Sequence, residues 1–585
     1  MGSTVWNVSD NWTNYYPSLD KGTSVVNFIG TGGSNTITSS GASFYNLTQN
    51  GTGGTYTLQD PLVVSSNLTL TAGTLDTKSA VNNAVTLAGN FSQATTAKFL
   101  ARSSTITVNG NGTFTANGTL DSTQYNGASL VLNGVNTLTY NNNAGPNDFG
   151  FNNLTVGQNG NTTTISSHVV VKNILTVGSG TLTGGYDLYL RGTQLNPLVF
   201  DVGSRLSIPR LWLYSDANLN IPTLTNGYDT DIYIDNNGYV TTQTGNITLN
   251  TTKSVFIAYG STKIETLKTD GYNLTVGGDL QIGVGADTSL KKLDATRNVG
   301  AGRTSTITVG GNWINKGTGT APSRFIADNS TVIFNATATG KTITSGSSIN
   351  PNAFNNVTFN GAGGAWTLQD NLTASGNILH TAGTLSAGGK NITTTGSGNL
   401  TISDGALITA SGLVSTVYYN QVTVTGTLTP DVTGTYTYVG SYRGVPYWKH
   451  NTLNYWVRSS SAETTFVVVD SAPGVGASLA WSGPANYVLI GSYTPSYGAP
   501  AGTATVANVT ASGFIGSTIT VGGNFSASGH AGALLTLNPA SAWNLNVAGT
   551  AVANFVNAAY SNASGGTLIS QTNSINGGNN TNWGF

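Results

Sequence analysis

The sequence predicts an all-β fold: a long parallel β-solenoid with a small antiparallel β module inserted near its C-terminal end. Three observations predict it. A stretch of 34 residues recurs without a gap, its apolar residues arrive in short pulses at period two, and one late segment abandons both habits.

The repeat comes first. Phe44–Thr77 and Phe354–Ala387 are identical at 19 of 34 positions at a fixed offset of 310. A more worn third copy places "FNNLTV" at Phe151–Val156 and "GTL" at Gly180–Leu182, both at offset 203 from the second copy and so 107 from the first. Gap-free copies mean that a physical unit is being counted out. Within the second copy Val357 and Phe359, Trp366 and Leu368, Leu372, Ile378, Leu385, Ile392, and Leu400 with Ile402 each alternate with polar neighbours, and Gly, Asn or Ser follows each pulse. That is strand and turn in succession, with strands too short for a sandwich. Three pulses per coil give about 20–25 residues per coil, the range of solenoid repeats. Inward Val, Ile, Leu and Phe then stack into one core, and outward Thr and Asn face water. Copies are expected on equivalent faces, with Leu58 and Leu368 both inward. Asp60 and Asp370 follow a strand, where a carboxylate bonds turn N–H groups; the third copy has Ser167 there. Shorter echoes, "STITVGGNW" at Ser305 and "STITVGGNF" at Ser517, place solenoid late in the chain as well.

Composition agrees. Charged residues are 8% of 585, the net charge is -1, and 38% of residues are hydrophobic. Disorder combines high net charge with few apolar residues, so this chain reads as folded. Glu occurs only at 265 and 463, while Thr, Val, Ile and aromatics dominate the ordered runs and favour strands. There is no Cys, which excludes thiol catalysis, disulfides and Cys-based zinc sites. No run of 18 apolar residues offers a membrane helix, and no basic run offers phosphates a surface, so neither membrane insertion nor nucleic acid is expected. The first residues, "MGSTVWNVSDNWTNYY", lack the basic and apolar regions of a signal peptide, which suits a protein exported by another route or one whose signal has been removed.

The third observation is the break. Across 425–503 the pulses stop, and Tyr, Trp and Pro crowd in. Four parts follow: an N-terminal cap at 1–22, solenoid at 23–424, the inserted module at 425–503, and resumed solenoid with a C-terminal cap at 504–585. The caps are expected to cover strand edges, through Trp6, Trp12, Tyr15 and Tyr16 at one end and Trp583 and Phe585 at the other.

Chemistry is sparse. Gly340-Lys341-Thr342 lacks the first glycine of a phosphate loop, since Asn335 stands there. His168, His380, His450 and His530 are scattered and offer no ligand spacing, and no cofactor or metal is expected. "YDTDIYID" sets Asp229, Asp231 and Asp235 on one face of a strand. Outward polar residues are ordinary on a solenoid wall, but paired carboxylates are also what polysaccharide hydrolysis needs. The inserted module is the stronger candidate. Tyr442, Tyr447, Trp448, His450, Tyr455 and Trp456 lie beside the basic Arg443, Lys449 and Arg458. Tyr and Trp dominate binding hot spots; they also make the core of a small module. Trp448 and Trp456 are the expected stacking platforms for a sugar.

The cassette "STVIFNATATGKTITSG…FNNVTFNGAGGAWTLQDNLT…TAGTL" resembles the β-solenoid repeats of large bacterial surface proteins and of bacteriophage structural proteins. "VWNVSDNW", "GTYTYVGSYRGVPYWKH" and "GGNNTNWGF" look similar to what phage tail or fibre proteins carry. The resemblance implies a rigid fibre or spike, often trimeric, outside the cell or on a virion, that displays a receptor-binding surface. The expected role is a virion surface protein that binds host cell-surface glycans. A bacterial surface adhesin or extracellular filament subunit is the alternative, and a solenoid polysaccharide depolymerase the second. No enzyme-family motif is matched, so no catalytic residue is assigned.

Overall fold

The computed structural model describes residues 2–585 except 118–123, 126, 141–149, 237, 258–263, 284–289, 298–302, 317–323, 347–353, 388–389, 404–405, 410–420, 443–444, 461–464, 486–490, 509–516, 531–533 and 538–542. The chain forms two compact units, Met1–Lys253 and Ser254–Phe585. Both are parallel β-solenoids, and the only helical element among the described residues is the 3₁₀ turn Gln158–Gly160.

In the first unit each strand pairs in parallel with the strand one coil on. One column of inward residues runs Val26, Leu47, Leu68, Phe91, Phe114, Leu138, Ile165. Each step advances 21 to 27 residues, close to the expected coil. In the second unit the matching column is Leu274, Ile307, Val332, Val357, Ile378, Leu400, Phe525, Ala551. Val, Ile, Leu and Phe at alternate positions are buried because a coil has one inner face and the side-chain period of a strand is two.

The first two copies of the cassette are structural equals. Asn46–Leu58 and Asn356–Leu368 are 13-residue strands with the same alternation of buried and exposed positions. Leu58 and Leu368 are both buried, as expected. The shared "NGxGG" turns a corner. Gly53 and Gly363 both hold φ 79°. A Cβ on Gly51 or Gly54 would strike the Gly30 carbonyl oxygen of the coil below, and one on Gly361 or Gly364 would strike that of Ala336. Asp60 and Asp370 serve the turn one coil down. Asp60 Oδ1 accepts from Ser39 N (2.9 Å) and Ser39 Oγ (2.8 Å), and its other oxygen accepts from Ser40 N. Asp370 takes Ser345 N (2.7 Å), Ser345 Oγ (2.8 Å) and Gly346 N (2.6 Å). Ser167 Oγ does a smaller version, accepting from Tyr140 N at 2.6 Å.

The third copy corrects the expectation of equivalent faces. Leu47 belongs to the column traced above, whereas its counterpart Leu154 belongs to the column Leu62, Val85, Ile106, Leu130, Leu154. An offset of 107 is not a whole number of coils that have grown to 23 and 24 residues, so this copy sits on a different wall.

The late segment is a closed antiparallel barrel of eight strands: Gln421–Thr425, Gly434–Tyr442, Val445–His450, Trp456–Ser459, Thr465–Val469, Ala480–Ala485, Gly491–Tyr497 and Ala504–Asn508. Its strands start before and end after the 425–503 window. The solenoid stacks straight across it: Ile392–Thr394 pairs with Ile519–Val521, and Leu400–Ile402 with Phe525–Ala527. Asn524 N reaches Asn399 Oδ1 at 2.7 Å across 125 residues of chain.

The ends differ from each other. Residues 1–22 are no cap over the first coil. Val5–Val8 and Trp12–Thr13 pair in parallel with Val25–Phe28 and Ser34–Thr38, and so make a coil of their own. Trp12 packs on Phe44 at 5.4 Å, while Trp6, Tyr15 and Tyr16 are exposed. At the other end Trp583 bridges Ile569, donates Nε1–H to Ser561 Oγ at 3.0 Å and stacks on Phe585 at 5.5 Å.

Candidate functional site

Two regions depart from the Thr and Asn ladders of the solenoid walls: the barrel, and a patch on the first unit.

The barrel interior is filled. Tyr436, Trp448, Val457, Phe466, Val468, Trp481 and Tyr493 pack with Val422, Val424 and Val506 into one core. Trp448 is 2% exposed, so it has no face to offer a sugar, and the expected platform is a core residue. His450 is a turn residue. Its Nε2–H donates to Thr433 O at 3.0 Å, and Nδ1 accepts from Leu453 N at 2.9 Å and Thr452 N at 3.1 Å. Alternation puts the odd neighbours outside. Across four adjacent strands the register runs Lys449, Trp456, Val469, Ala480, and continues to Tyr497 on a fifth. Trp456 is half-buried on Val467, Val469 and Ala480, with Lys449 Nζ 5.6 Å from its ring centroid. Arg458 is buried and fastens the following loop to this face through Ser471 O (2.9 Å), Ser471 Oγ (3.1 Å) and Val475 O (3.0 Å). Tyr447 and Tyr455 are half-buried, Tyr455 against the core, and Tyr497 is 63% exposed. Arg443 and the side chain of Tyr442 lie outside the described residues.

The three carboxylates of "YDTDIYID" do not share one face. The register slips between the pairs Ser207↔Asp229 and Arg210↔Asp231, which puts Asp229 in a different row. Asp229 accepts from Ser207 Oγ at 2.7 Å and meets Lys253 Nζ at 3.6 Å. Among the described residues no three His, Asp or Glu side chains gather as a metal would need.

Asp231 and Asp235 instead close a patch that the sequence reading missed. Four successive rungs read "HVVVK" (168–172), "DLYLR" (187–191), "RLWLY" (210–214) and "DIYID" (231–235). Leu188 pairs with Val169 and Leu211, and Leu211 with Ile232, so the four stretches are in register. The even members Leu188, Leu190, Leu211, Leu213, Ile232 and Ile234 are buried in the solenoid core. The odd members therefore form three outer columns: His168, Asp187, Arg210, Asp231; then Val170, Tyr189, Trp212, Tyr233; then Lys172, Arg191, Tyr214, Asp235. The central rings stack along the solenoid. Tyr189 and Trp212 are 5.8 Å apart at 13°, and Trp212 and Tyr233 are 4.3 Å apart at 25°. Asp187 is almost wholly buried beneath Arg210 (Nε to Oδ1, 3.0 Å) and His168 (Nδ1 to Oδ2, 3.8 Å). Arg191 lies over the Tyr214 ring at 4.3 Å. Burial, and after it the Asp187 carboxylate, raises the Tyr189 hydroxyl above its ordinary value. Burial works against the Arg210 charge, but Asp187 outweighs it and the guanidinium is held more firmly protonated. The signal was present as a five-residue pattern of polar, apolar, large, apolar, polar at intervals of 19 to 23 residues; single-strand reading sees only its last line.

Compared with protein-family models, curated proteins and solved structures, the chain matches none. Its own geometry defines the class: a β-solenoid repeat protein with an antiparallel barrel set into one coil. Among the described residues no helix is long and apolar enough to cross a membrane.

Proposed function

We propose that this chain is a surface scaffold, a fibre or spike protein of a virion, whose barrel contacts host cell-surface glycans. The observation that carries the reading is the continuity of the solenoid through Leu400↔Phe525, which lets one coil carry a whole folded module without interrupting the stack. A rigid repeat that spends some 90 residues on such a module has a use for its surface. Trp448 and His450 are inside, so contact falls to the outer row, with Trp456 and Tyr497 as the aromatic groups and Lys449 as the cation. A ring edge beside an ammonium suits sugars that bear carboxylate or sulfate groups. Weak sites of this kind sum by avidity when several copies are displayed. A bacterial adhesin would use the same surface in the same way.

The test is adsorption of labelled protein to cells and to arrayed anionic and neutral glycans. Trp456→Ala and Tyr497→Ala are expected to lower binding about tenfold each, whereas Tyr189→Ala on the solenoid leaves it unchanged. Full binding by the Trp456→Ala, Tyr497→Ala double variant would remove the barrel from the reading.

A further inference from the structure

We propose that the patch of three columns on the first unit is a self-complementary interface through which two copies of this chain pair side by side and antiparallel. This stands whether or not the barrel binds glycans. The central rings cover one another's faces by stacking at 13° and 25°, so they present edges outward and offer a pyranose no open platform. Trp, Tyr and Arg are the residues that anchor protein interfaces. Arg210 and His168 keep 44% and 55% of their side chains exposed, and Tyr186 beside them is 41% exposed.

The charges choose the partner. Consider a two-fold axis parallel to the strands, lying between the Tyr189 and Trp212 rungs. The first rung then meets the fourth of the second copy, and the second meets the third. His168 faces the partner's Asp231, Lys172 faces the partner's Asp235, and Asp187 faces the partner's Arg210. Arg191 faces the ring of the partner's Tyr214, and Tyr189 faces the partner's Trp212. Each charged residue finds an opposite charge or a ring, and an isologous contact makes every pair twice. A parallel pairing, with the axis along the solenoid, would instead set Asp231 against the partner's Asp235 and His168 against the partner's Lys172, which is repulsive.

Analytical ultracentrifugation of the full chain is expected to show a monomer–dimer equilibrium that weakens as salt rises. Lys172→Asp and Asp235→Lys are each expected to weaken the dimer about tenfold or more, because the two-fold repeats every loss. Mixing these two variants is expected to restore dimers as heterodimers, and the double variant to restore its own homodimer. Far-UV circular dichroism checks that each variant is folded. If a reversal fails to fold, Lys172→Gln and Asp235→Asn carry the same test, with a smaller loss. A chain that stays monomeric at every concentration overturns the proposal. So does a dimer that both single variants leave intact, a mixture that regains nothing, or a monomer that binds polysaccharide through Tyr189.

Discussion

A single histidine shows how a residue's surroundings set its chemistry. His380 takes the place that Leu70 holds in the first copy, inside the solenoid between Phe359 and Ile402. It is fully buried, with the Phe359 ring edge-on at 5.4 Å. Burial lowers its pKa to about 4, the Gly383 and Ala382 backbone pulling weakly the other way. In the unfolded chain an ordinary histidine titrates near 6.5. Between those values the unfolded state binds the extra proton, so stability is full above about pH 6.5 and falls as pH drops toward 4. The loss is on the order of 3 kcal/mol. His380→Leu should remove it, so the gap between variant and wild type in urea denaturation should widen from pH 7 to pH 4. A constant gap would mean that His380 is not buried neutral. Asp370 offers a second test at this scale. It accepts three hydrogen bonds from Ser345 and Gly346, so Asp370→Ala should cost roughly 2–4 kcal/mol. Asp370→Ser should recover part of that, since Ser167 performs one such bond in the third copy. Equal losses in thermal melts would count against the turn role.

At the scale of elements, the corner of the cassette separates two reasons for glycine. Gly363 holds a positive φ with nothing crowded against its Cβ direction, whereas Gly364 is pressed on the Ala336 carbonyl. Gly363→Ala should therefore cost about 1 kcal/mol of backbone strain. Gly364→Ala must push two coils apart and should cost about 1–3 kcal/mol or more. Thermal unfolding of the pair checks the order, and a reversed order would mean that the coils are not in the described register. The period-two pulses made these strands legible in the sequence, because one face of every strand is buried. Which wall a strand joins was not legible. Coil length drifts from 20 to 33 residues, so Leu154 lands on a wall other than the one its motif suggested.

Across the whole molecule, the solenoid and the barrel should be separable. The barrel closes its own hydrogen bonding and fills its own core, and the coils pair across its point of insertion. Replacing Gln421–Asn508 by a short Gly/Ser bridge should leave a soluble chain with β-type circular dichroism and a melting midpoint within a few degrees of the parent, because solenoid coils lean mainly on their neighbours. The isolated Gln421–Asn508 segment should fold alone. Aggregation of the trimmed chain would show that the barrel supports the coils.

What the sequence by itself determined was periodic. All-β class, parallel coils, an inserted module and the inward Leu58 and Leu368 all follow from hydrophobic spacing, which depends on neighbours two residues away. What only the tertiary structure decided depends on residues a full coil or a full strand pair apart. Trp448 and Trp456 look alike in the chain, but strand alternation around a closed barrel sends one into the core and leaves the other outside. Asp229, Asp231 and Asp235 look like one face, yet a one-residue slip divides them. The columns of Tyr189, Trp212 and Tyr233 exist only because coils of 23 and 21 residues bring those rings into register, and no local pattern carries that length.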